Sequence, residues 1–300
     1  MKFRIALVVL YVGFLVGCSK QPQEDPPSVT VSILPQKYFV EKIAGDHYSV
    51  NVMIPPGASP VTYEPTPQQM QQITNSQVYF RIGHIEFEKS WMKKFKNIHP
   101  EMNIVDLSAN AQLIKPGEAG AEHHDHHEHH GHHHHGVDPH IWVSPREVKK
   151  QADLIYQYFI QHDPQRDSTY TANYQHFLRE IEEVEHYAAQ QLKPFQGKKF
   201  LIFHPALSYL ARDYGLEQIS IEIDGKEPTP ANMQEIIKTA RSENIKIVFV
   251  QKQFSKHNAQ VIADEIDGMV VQINPLDYQW EQSMRFMIDK IVESYTKQPE

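Results

Sequence analysis

Glu64-Pro-Thr-Pro-Gln-Gln-Met-Gln-Gln-Ile73 recurs without a gap as Glu227-Pro-Thr-Pro-Ala-Asn-Met-Gln-Glu-Ile236, and seven of the ten positions are identical. In each copy a threonine stands where it can cap a helix, and a proline follows at the first helical position. Each copy also lies between the second and third β-rich runs of its half of the chain. The repeat therefore favours two related lobes over two helix starts that are alike by chance.

Short apolar runs rich in β-forming residues alternate with helical patterns on both sides of this repeat. The predicted strands are 29–33, 48–54, 78–82 and 103–106 in the first half, and 200–203, 219–223, 247–250 and 269–273 in the second. Strands that alternate with helices indicate an α/β fold with mostly parallel sheets.

A long helix is predicted between the two halves, from Pro164 to Leu192. This stretch has no glycine and no internal proline, and its apolar residues recur at helical spacing. A helix of about 28 residues is about 42 Å long and can brace two lobes against large hinge closure. We expect an N-terminal lobe at 29–163, a linking helix at 164–193 and a C-terminal lobe at 194–300.

The N-terminus has the features of an export signal. A basic start is followed by the apolar run 5–16, which is too short to cross a bilayer as a helix. The run ends in Leu15-Val16-Gly17-Cys18, which resembles the bacterial lipobox. Residues 1–17 are thus expected to be a signal peptide, Cys18 a lipid-bearing N-terminus and 18–28 a tether. A signal peptide with an unrelated cysteine is the alternative.

The amino-acid composition excludes some classes of partner and of metal site. The 300 residues carry a net charge of −8, which argues against nucleic acid as a partner, and a single cysteine, which excludes an internal disulfide and cysteine-rich zinc modules. There are 19 histidines. If a zinc-like metal is bound, imidazole and carboxylate groups must bind it.

Residues 116–136 form a polar segment without apolar periodicity, and a mobile loop is expected there. Its imidazoles, interleaved with acidic residues, could gather or sense Zn²⁺, Cu²⁺ or Ni²⁺ through many weak contacts. A solvated spacer or a pH-sensitive polyelectrolyte is the alternative. The ten histidines are His123, His124, His126, His127, His129, His130, His132, His133, His134 and His135.

Two other histidines have neighbours in the sequence that restrict their conformation. His140 lies in Asp138-Pro-His-Ile-Trp142, and His204 lies between the apolar run 200–203 and Pro205. A side chain just after the carboxyl end of a strand points into the ligand crevice of an α/β sheet. Either histidine alone would more often have a structural role, whereas the two together favour a specific metal site.

The chain resembles the metal-binding solute receptors of ABC importers, in particular their zinc-type, ZnuA-like branch. The resemblance covers nearly the whole chain after the signal and rests on several motifs together: the lipobox, the acidic histidine-rich loop, Pro56-Gly-Ala-Ser-Pro60, Tyr63-Glu-Pro65, Asp138-Pro-His-Ile-Trp142, His204-Pro-Ala206, Tyr209-Leu-Ala-Arg-Asp-Tyr214, Gly225-Lys-Glu-Pro228 and Asn274-Pro-Leu276.

This resemblance implies two (β/α)₄ lobes joined by one long helix, with the metal in the cleft between the lobes. It implies a lipid-anchored, extracytoplasmic and monomeric receptor that captures Zn²⁺ as cargo and delivers it to a membrane permease, without catalysing a reaction. Nitrogen-rich ligation favours zinc over manganese. A manganese or other divalent-metal receptor, an adhesin or metal sensor, and a hydrolase using zinc-bound water are the alternatives. Neither His-Glu-x-x-His nor Gly-x-Ser-x-Gly occurs to support the hydrolase.

By the same resemblance His140 and His204 are metal ligands, but two further family positions differ here. Val61 stands where the family has its first histidine, and Asn274 where it has an aspartate. Two imidazoles alone make a poor zinc site. His84, which follows the predicted strand 78–82, is the leading candidate for the missing ligand, and Asn274 is kept as a weaker oxygen donor. Glu64, Asp277, Glu86 and Glu88 are the alternatives.

Overall fold

A computed structural model describes residues 26–116, 136–222, 226 and 228–296. The predicted lipid-bearing Cys18 and the ten histidines of the 123–135 stretch lie outside these residues. No helix in the described part of the chain is long and apolar enough to cross a membrane.

The first half contains a four-stranded parallel sheet with the strand order β2-β1-β3-β4. Parallel pairing requires a crossover between strands, and helices supply it. The elements, in chain order, are β1 (Ser28–Val31), α1 (Leu34–Ala44), β2 (Ser49–Val52), α2 (Pro67–Thr74), β3 (Ser76–Arg81), α3 (Glu86–Ile98), β4 (Asn103–Asp106) and α4 (Pro145–His162).

The second half repeats this arrangement with the order β6-β5-β7-β8, again all parallel. Its elements are β5 (Lys199–Ile202), α6 (Ser208–Tyr214), β6 (Glu217–Ser220), α7 (Pro230–Ser242), β7 (Ile247–Gln251), α8 (His257–Glu265), β8 (Met269–Ile273) and α9 (Trp280–Thr296). The α/β fold with two parallel sheets agrees with the sequence-based prediction.

The sequence repeat coincides with the same position in both halves, since α2 and α7 each follow the second strand. Thr66 Oγ1 accepts a hydrogen bond from the Gln69 amide at 3.3 Å, and Thr229 Oγ1 accepts one from the Asn232 amide at 3.3 Å. The repeated Thr-Pro thus encodes a helix N-cap followed by a proline that needs no backbone donor.

The long helix between the halves is α5 (Asp167–Leu192), preceded by a 3₁₀ turn at Pro164–Arg166. Its apolar face is buried, as the helical spacing predicts. Phe177 on this helix packs against Phe39 of α1 at 5.7 Å between ring centroids and edge-on against Trp280 of α9 at 6.4 Å. The helix therefore contacts elements of both lobes.

One strand of the second sheet ends earlier in the chain than the sequence predicts. The sequence predicts a strand at 219–223, whereas β6 ends at Ser220. Ile221 and Glu222 continue beside β5 through hydrogen bonds from their amides to the carbonyls of Ile202 and Phe203, both at 2.9 Å. As a result Glu222 lies beside the residue that follows Phe203, which is His204.

Candidate metal centre

A cavity of about 350 Å³ lies between the two lobes, and His140 and His204 both line it. The first lobe contributes residues 59–61, 84–86 and 136–140 to its wall, and the second lobe contributes 204–206, Glu222 and Gln251. His84 follows β3, His204 follows β5 and Gln251 ends β7. The cavity thus lies at the carboxyl ends of parallel strands, where α/β sheets bind their ligands.

His140 is oriented by the aspartate two residues before it. Its Nδ1 donates to Asp138 Oδ1 at 2.8 Å, and its backbone amide donates to the same oxygen at 2.9 Å. The Tyr209 hydroxyl donates to the Asp138 carbonyl at 2.7 Å and so fixes this segment. Burial alone would raise the pKa of Asp138, but the contacts with His140 hold that pKa below its usual value. The carboxylate therefore stays ionised and keeps the hydrogen on Nδ1.

His204 has a carboxylate partner on the neighbouring chain segment. Its Nδ1 donates to Glu222 Oε2 at 2.9 Å, and its ring stacks on Phe254 with the centroids 5.0 Å apart. Gln251 clamps the backbone, since its Oε1 accepts from the His204 amide at 3.2 Å and its Nε2 donates to the His204 carbonyl. Burial lowers the pKa of His204, an effect that its hydrogen bond to Glu222 opposes. The ring is therefore favoured in its neutral form.

The two free ring nitrogens face each other, with 3.3 Å between His140 Nε2 and His204 Nε2. Because each Nδ1 donates to a carboxylate, each neutral ring presents a lone pair at Nε2, and a cation between the two would be stabilised. Two nitrogens bound to one tetrahedral zinc ion at about 2.05 Å lie about 3.3 Å apart. The pair is therefore already spaced as two ligands of such an ion, with the carboxylates orienting both rings.

The structure places the other two predicted metal ligands, His84 and Asn274, in two different cavities. His84 lines the same cavity, and burial lowers the pKa of its ring. Asn274 lines a neighbouring cavity of about 200 Å³ instead, where its Nδ2 donates to Asp277 Oδ2 at 2.8 Å. Val61 is 56% exposed and lines the cavity that contains the histidine pair.

The four acidic residues considered as alternative ligands are either paired with other groups or lie outside the cavity that contains the histidine pair. Glu88 is buried in the first lobe, where it accepts hydrogen bonds from Ser32 and from the amides of Ile82 and Gly83. Glu86 lines the cavity and pairs with Lys89. Glu64 is exposed on the surface, and Asp277 lines the neighbouring cavity. Within residues 26–116, 136–222, 226 and 228–296, no three His, Cys, Asp or Glu side chains form a group that could hold a metal ion.

Three residues that orient the histidine pair were not singled out from the sequence as part of the site. Asp138 could have been found, because a carboxylate two residues before a constrained histidine is a local signal. Glu222 is separated from His204 by 18 positions and meets it only through the pairing of residues 221–222 beside β5. Gln251, at the end of β7, gave no chemical signal at all.

Described residues on both sides of the histidine-rich segment lie at or near the wall of this cavity. The Asp138 amide donates to the Ile114 carbonyl at 3.0 Å, and the Ile114 amide donates to the Tyr209 hydroxyl at 3.1 Å. Gly136 and Val137 line the cavity itself. Ile114 and Asp138, which lie on either side of the segment, are thus joined next to His140.

Comparisons with known proteins agree with this fold. The chain is 26% identical over 261 residues to the high-affinity zinc uptake system protein ZnuA of Bacillus subtilis, covering 86% of this chain and 81% of that protein. It is 26% identical to the zinc-binding lipoprotein AdcA of Streptococcus pneumoniae over 95% of this chain, but it spans only 57% of AdcA.

A crystal structure of a ZnuA protein superposes with a TM-score of 0.81 at 36% identity, covering 90% of this chain and 99% of that one. The model of the family described as zinc-uptake complex component A, periplasmic, matches residues 29–294. This match spans both lobes and the helix that joins them, and it shows that the chain belongs to the ZnuA family.

Proposed function

We propose that this protein captures Zn²⁺ outside the cytoplasm and delivers it to the membrane permease of an ABC importer. Family members are solute-binding proteins and not enzymes, so the hydrolase alternative is set aside. The observation that carries the proposal is the 3.3 Å separation of His140 Nε2 and His204 Nε2, each on a ring oriented by a carboxylate.

The donor atoms support zinc as the cargo. Imidazole nitrogen suits Zn²⁺, whereas Mn²⁺ prefers carboxylate and other oxygen donors. The two carboxylates nearest the pair, those of Asp138 and Glu222, are hydrogen-bonded to the rings and orient them. A site that presents nitrogen toward the ion thus favours zinc over manganese.

Cys18 is proposed to tether the receptor to a bacterial membrane outside the cytoplasm, in the periplasm or at the cell surface, with residues 18–28 as the flexible connection. The support is the lipobox-like Leu15-Val16-Gly17-Cys18, together with the name of the lipoprotein AdcA among the relatives. We propose that the receptor acts as a monomer, because one chain supplies both histidines of the pair.

Uptake of radioactive zinc by cells that lack this protein tests the function directly. Cells complemented with the wild-type chain should recover uptake in zinc-limited medium, whereas cells complemented with the His140→Ala/His204→Ala variant should not. Equal uptake with the wild type, the variant and the empty vector would contradict a role in import. Immunoblots must show equal amounts of the two proteins.

Zinc binding should weaken in acid, because protons compete for the Nε2 atoms. The pKa of His204 lies below the usual 6.5, with burial as the main cause. Affinity should therefore change little between pH 8 and 7 and should fall progressively below about pH 6, as the His204 ring becomes protonated. Competition titrations against a zinc-binding dye from pH 5 to 8 measure this. Unchanged affinity at pH 5 would mean that imidazoles are not the donors.

The histidine-rich segment is proposed to gather metal without forming the specific site. Deleting residues 121–135 should lower the number of zinc ions bound per protein while the tightest site keeps its affinity. Calorimetry on metal-stripped protein, with and without the deletion, measures both quantities. Loss of the tight site along with the weak ones would contradict this division, provided that circular dichroism shows the same fold.

A further inference from the structure

Too few of the described metal donors that line the cavity lie together to complete the coordination of a zinc ion. His140 and His204 provide two nitrogens, and in the described part of the chain no third acidic, histidine or cysteine side chain completes a metal-holding group with them. Protein zinc sites are almost always four-coordinate. In the arrangement that the structure shows, about two coordination positions of an ion held by this pair are therefore left for other donors.

The space in the cavity exceeds what a bare ion needs. Its volume of about 350 Å³ falls within the range of about 300–1,000 Å³ that is usual for sites that bind small organic molecules. Much of the lining is apolar, with the exposed side chain of Val61, Pro60 and Ile85 from the first lobe and Phe254 and Leu276 from the second. Such a wall favours an organic ligand over a cluster of ordered waters.

Polar groups in the same wall can bind a carboxylate. Lys89 lines the cavity, and its ammonium lies 2.6 Å from Glu86 and 3.5 Å from the place that a Cβ would occupy on Gly136. Ser59 and Gln253 also line the cavity, and both residues carry side chains that can donate hydrogen bonds.

The charges near the pair limit the kind of carboxylate. The carboxylates of Asp138 and Glu222 together balance the two positive charges of Zn²⁺, and the Glu86 carboxylate, 2.6 Å away, balances the ammonium of Lys89. A ligand with one negative charge would therefore add a single charge, which Lys89 can share with Glu86, whereas a multiply charged ligand such as citrate would add several. The cavity therefore matches a small chelator that carries one carboxylate and a neutral nitrogen donor.

We propose that the cargo of this protein is a zinc–amino-acid complex, in which His140 and His204 provide two ligands and an α-amino acid fills the remaining positions through its amine and carboxylate. The apolar wall around Val61 contacts the amino acid, and Lys89 contacts its carboxylate. This inference rests on the proposed function and specifies the chemical form in which zinc is bound. The complex forms by ligand exchange, in which the ammonium group of the free amino acid gives up one proton to solvent and its nitrogen binds the zinc. No covalent bond is made in the protein.

The test compares zinc alone with zinc plus L-histidine as the probe amino acid, using the mature chain with and without residues 121–135. Native mass spectrometry should detect a complex of one protein, one zinc and one histidine in both proteins. Competition titrations should show zinc bound at least tenfold more tightly with histidine than without it. Citrate, the control chelator, should not enhance binding.

Replacing Val61 by histidine should supply the donor that the first lobe lacks. Val61→His should bind bare zinc at least tenfold more tightly than the wild type and should lose its dependence on L-histidine. Val61→Ala is the matched control. It should bind bare zinc no more tightly than the wild type and should keep the dependence on L-histidine. Circular dichroism establishes that both variants are folded.

Three results would overturn the inference: bare zinc bound as tightly as zinc with histidine, enhancement by citrate equal to that by histidine, or tight binding of bare zinc that is lost when residues 121–135 are removed. The last would mean that the segment completes the coordination. Failure of the proposed function would be a different result, in which the His140→Ala/His204→Ala variant binds zinc in every form as well as the wild type does.

Discussion

Replacing His204 by alanine is expected to lower the affinity for zinc at the tight site by at least about 100-fold. Loss of an orienting partner of a metal ligand typically costs about 10–100-fold in affinity, and loss of the ligand itself should cost more. The substitution also leaves His140 Nε2 without the facing nitrogen at 3.3 Å. Competition titration with a chelator of known affinity, on protein lacking residues 121–135, measures the effect without the loop histidines.

Two comparison variants make this result specific. Glu222→Gln keeps the shape of the side chain but removes the carboxylate that accepts from His204 Nδ1, so its affinity should fall by about 10–100-fold. His176→Ala changes an exposed histidine of α5 outside the cavity and should have no effect. Unchanged affinity in His204→Ala would remove His204 from the site.

Replacing Trp280 by alanine is expected to lower the free energy of unfolding by about 3–5 kcal/mol, and with it the melting temperature by roughly 10 °C. The Trp280 ring is almost fully buried at the start of α9 and packs edge-on against Phe39 at 5.6 Å. Its Nε1 donates to the Trp142 carbonyl at 2.7 Å, and Trp142 Nε1 donates to the Pro275 carbonyl at 2.9 Å. These two bonds join the segment after His140 to the second lobe.

Thermal and urea unfolding followed by circular dichroism measure this loss. Trp91→Ala is the matched control, because Trp91 is a partly exposed tryptophan of α3 that stacks on Phe95, outside the contacts between the lobes. It should cost clearly less than Trp280→Ala. Equal losses in the two variants would mean that the tryptophan contacts between the lobes add no particular stability.

Much of the fold could be predicted because its signals are local. The strands at 103–106 and 269–273 match β4 and β8 residue for residue, since each is a short β-rich run between turns. The duplicated Thr-Pro starts identify α2 and α7 because a cap and a first-turn proline act within one helical turn. The prediction at 219–223 was displaced because apolar residues continue past the end of β6, where the chain still pairs beside β5.

The site was less predictable, because its chemistry depends on contacts that are distant in sequence. His140 and His204 could be singled out from their flanking residues, but their 3.3 Å approach across 64 positions depends on how the two lobes pack. The partner of His204, Glu222, is fixed by the register of neighbouring chain segments. Asn274 was placed beside the pair by analogy, whereas in the structure its amide turns to Asp277 in the neighbouring cavity.

The most direct test of the central claim is an anomalous difference map at the zinc absorption edge, from crystals of the chain lacking residues 121–135 grown with zinc. We predict one strong peak in the cavity between the lobes, at about 2.0–2.1 Å from both His140 Nε2 and His204 Nε2. A strong peak elsewhere, with none between these two nitrogens, would contradict the assignment of the histidine pair as the zinc site.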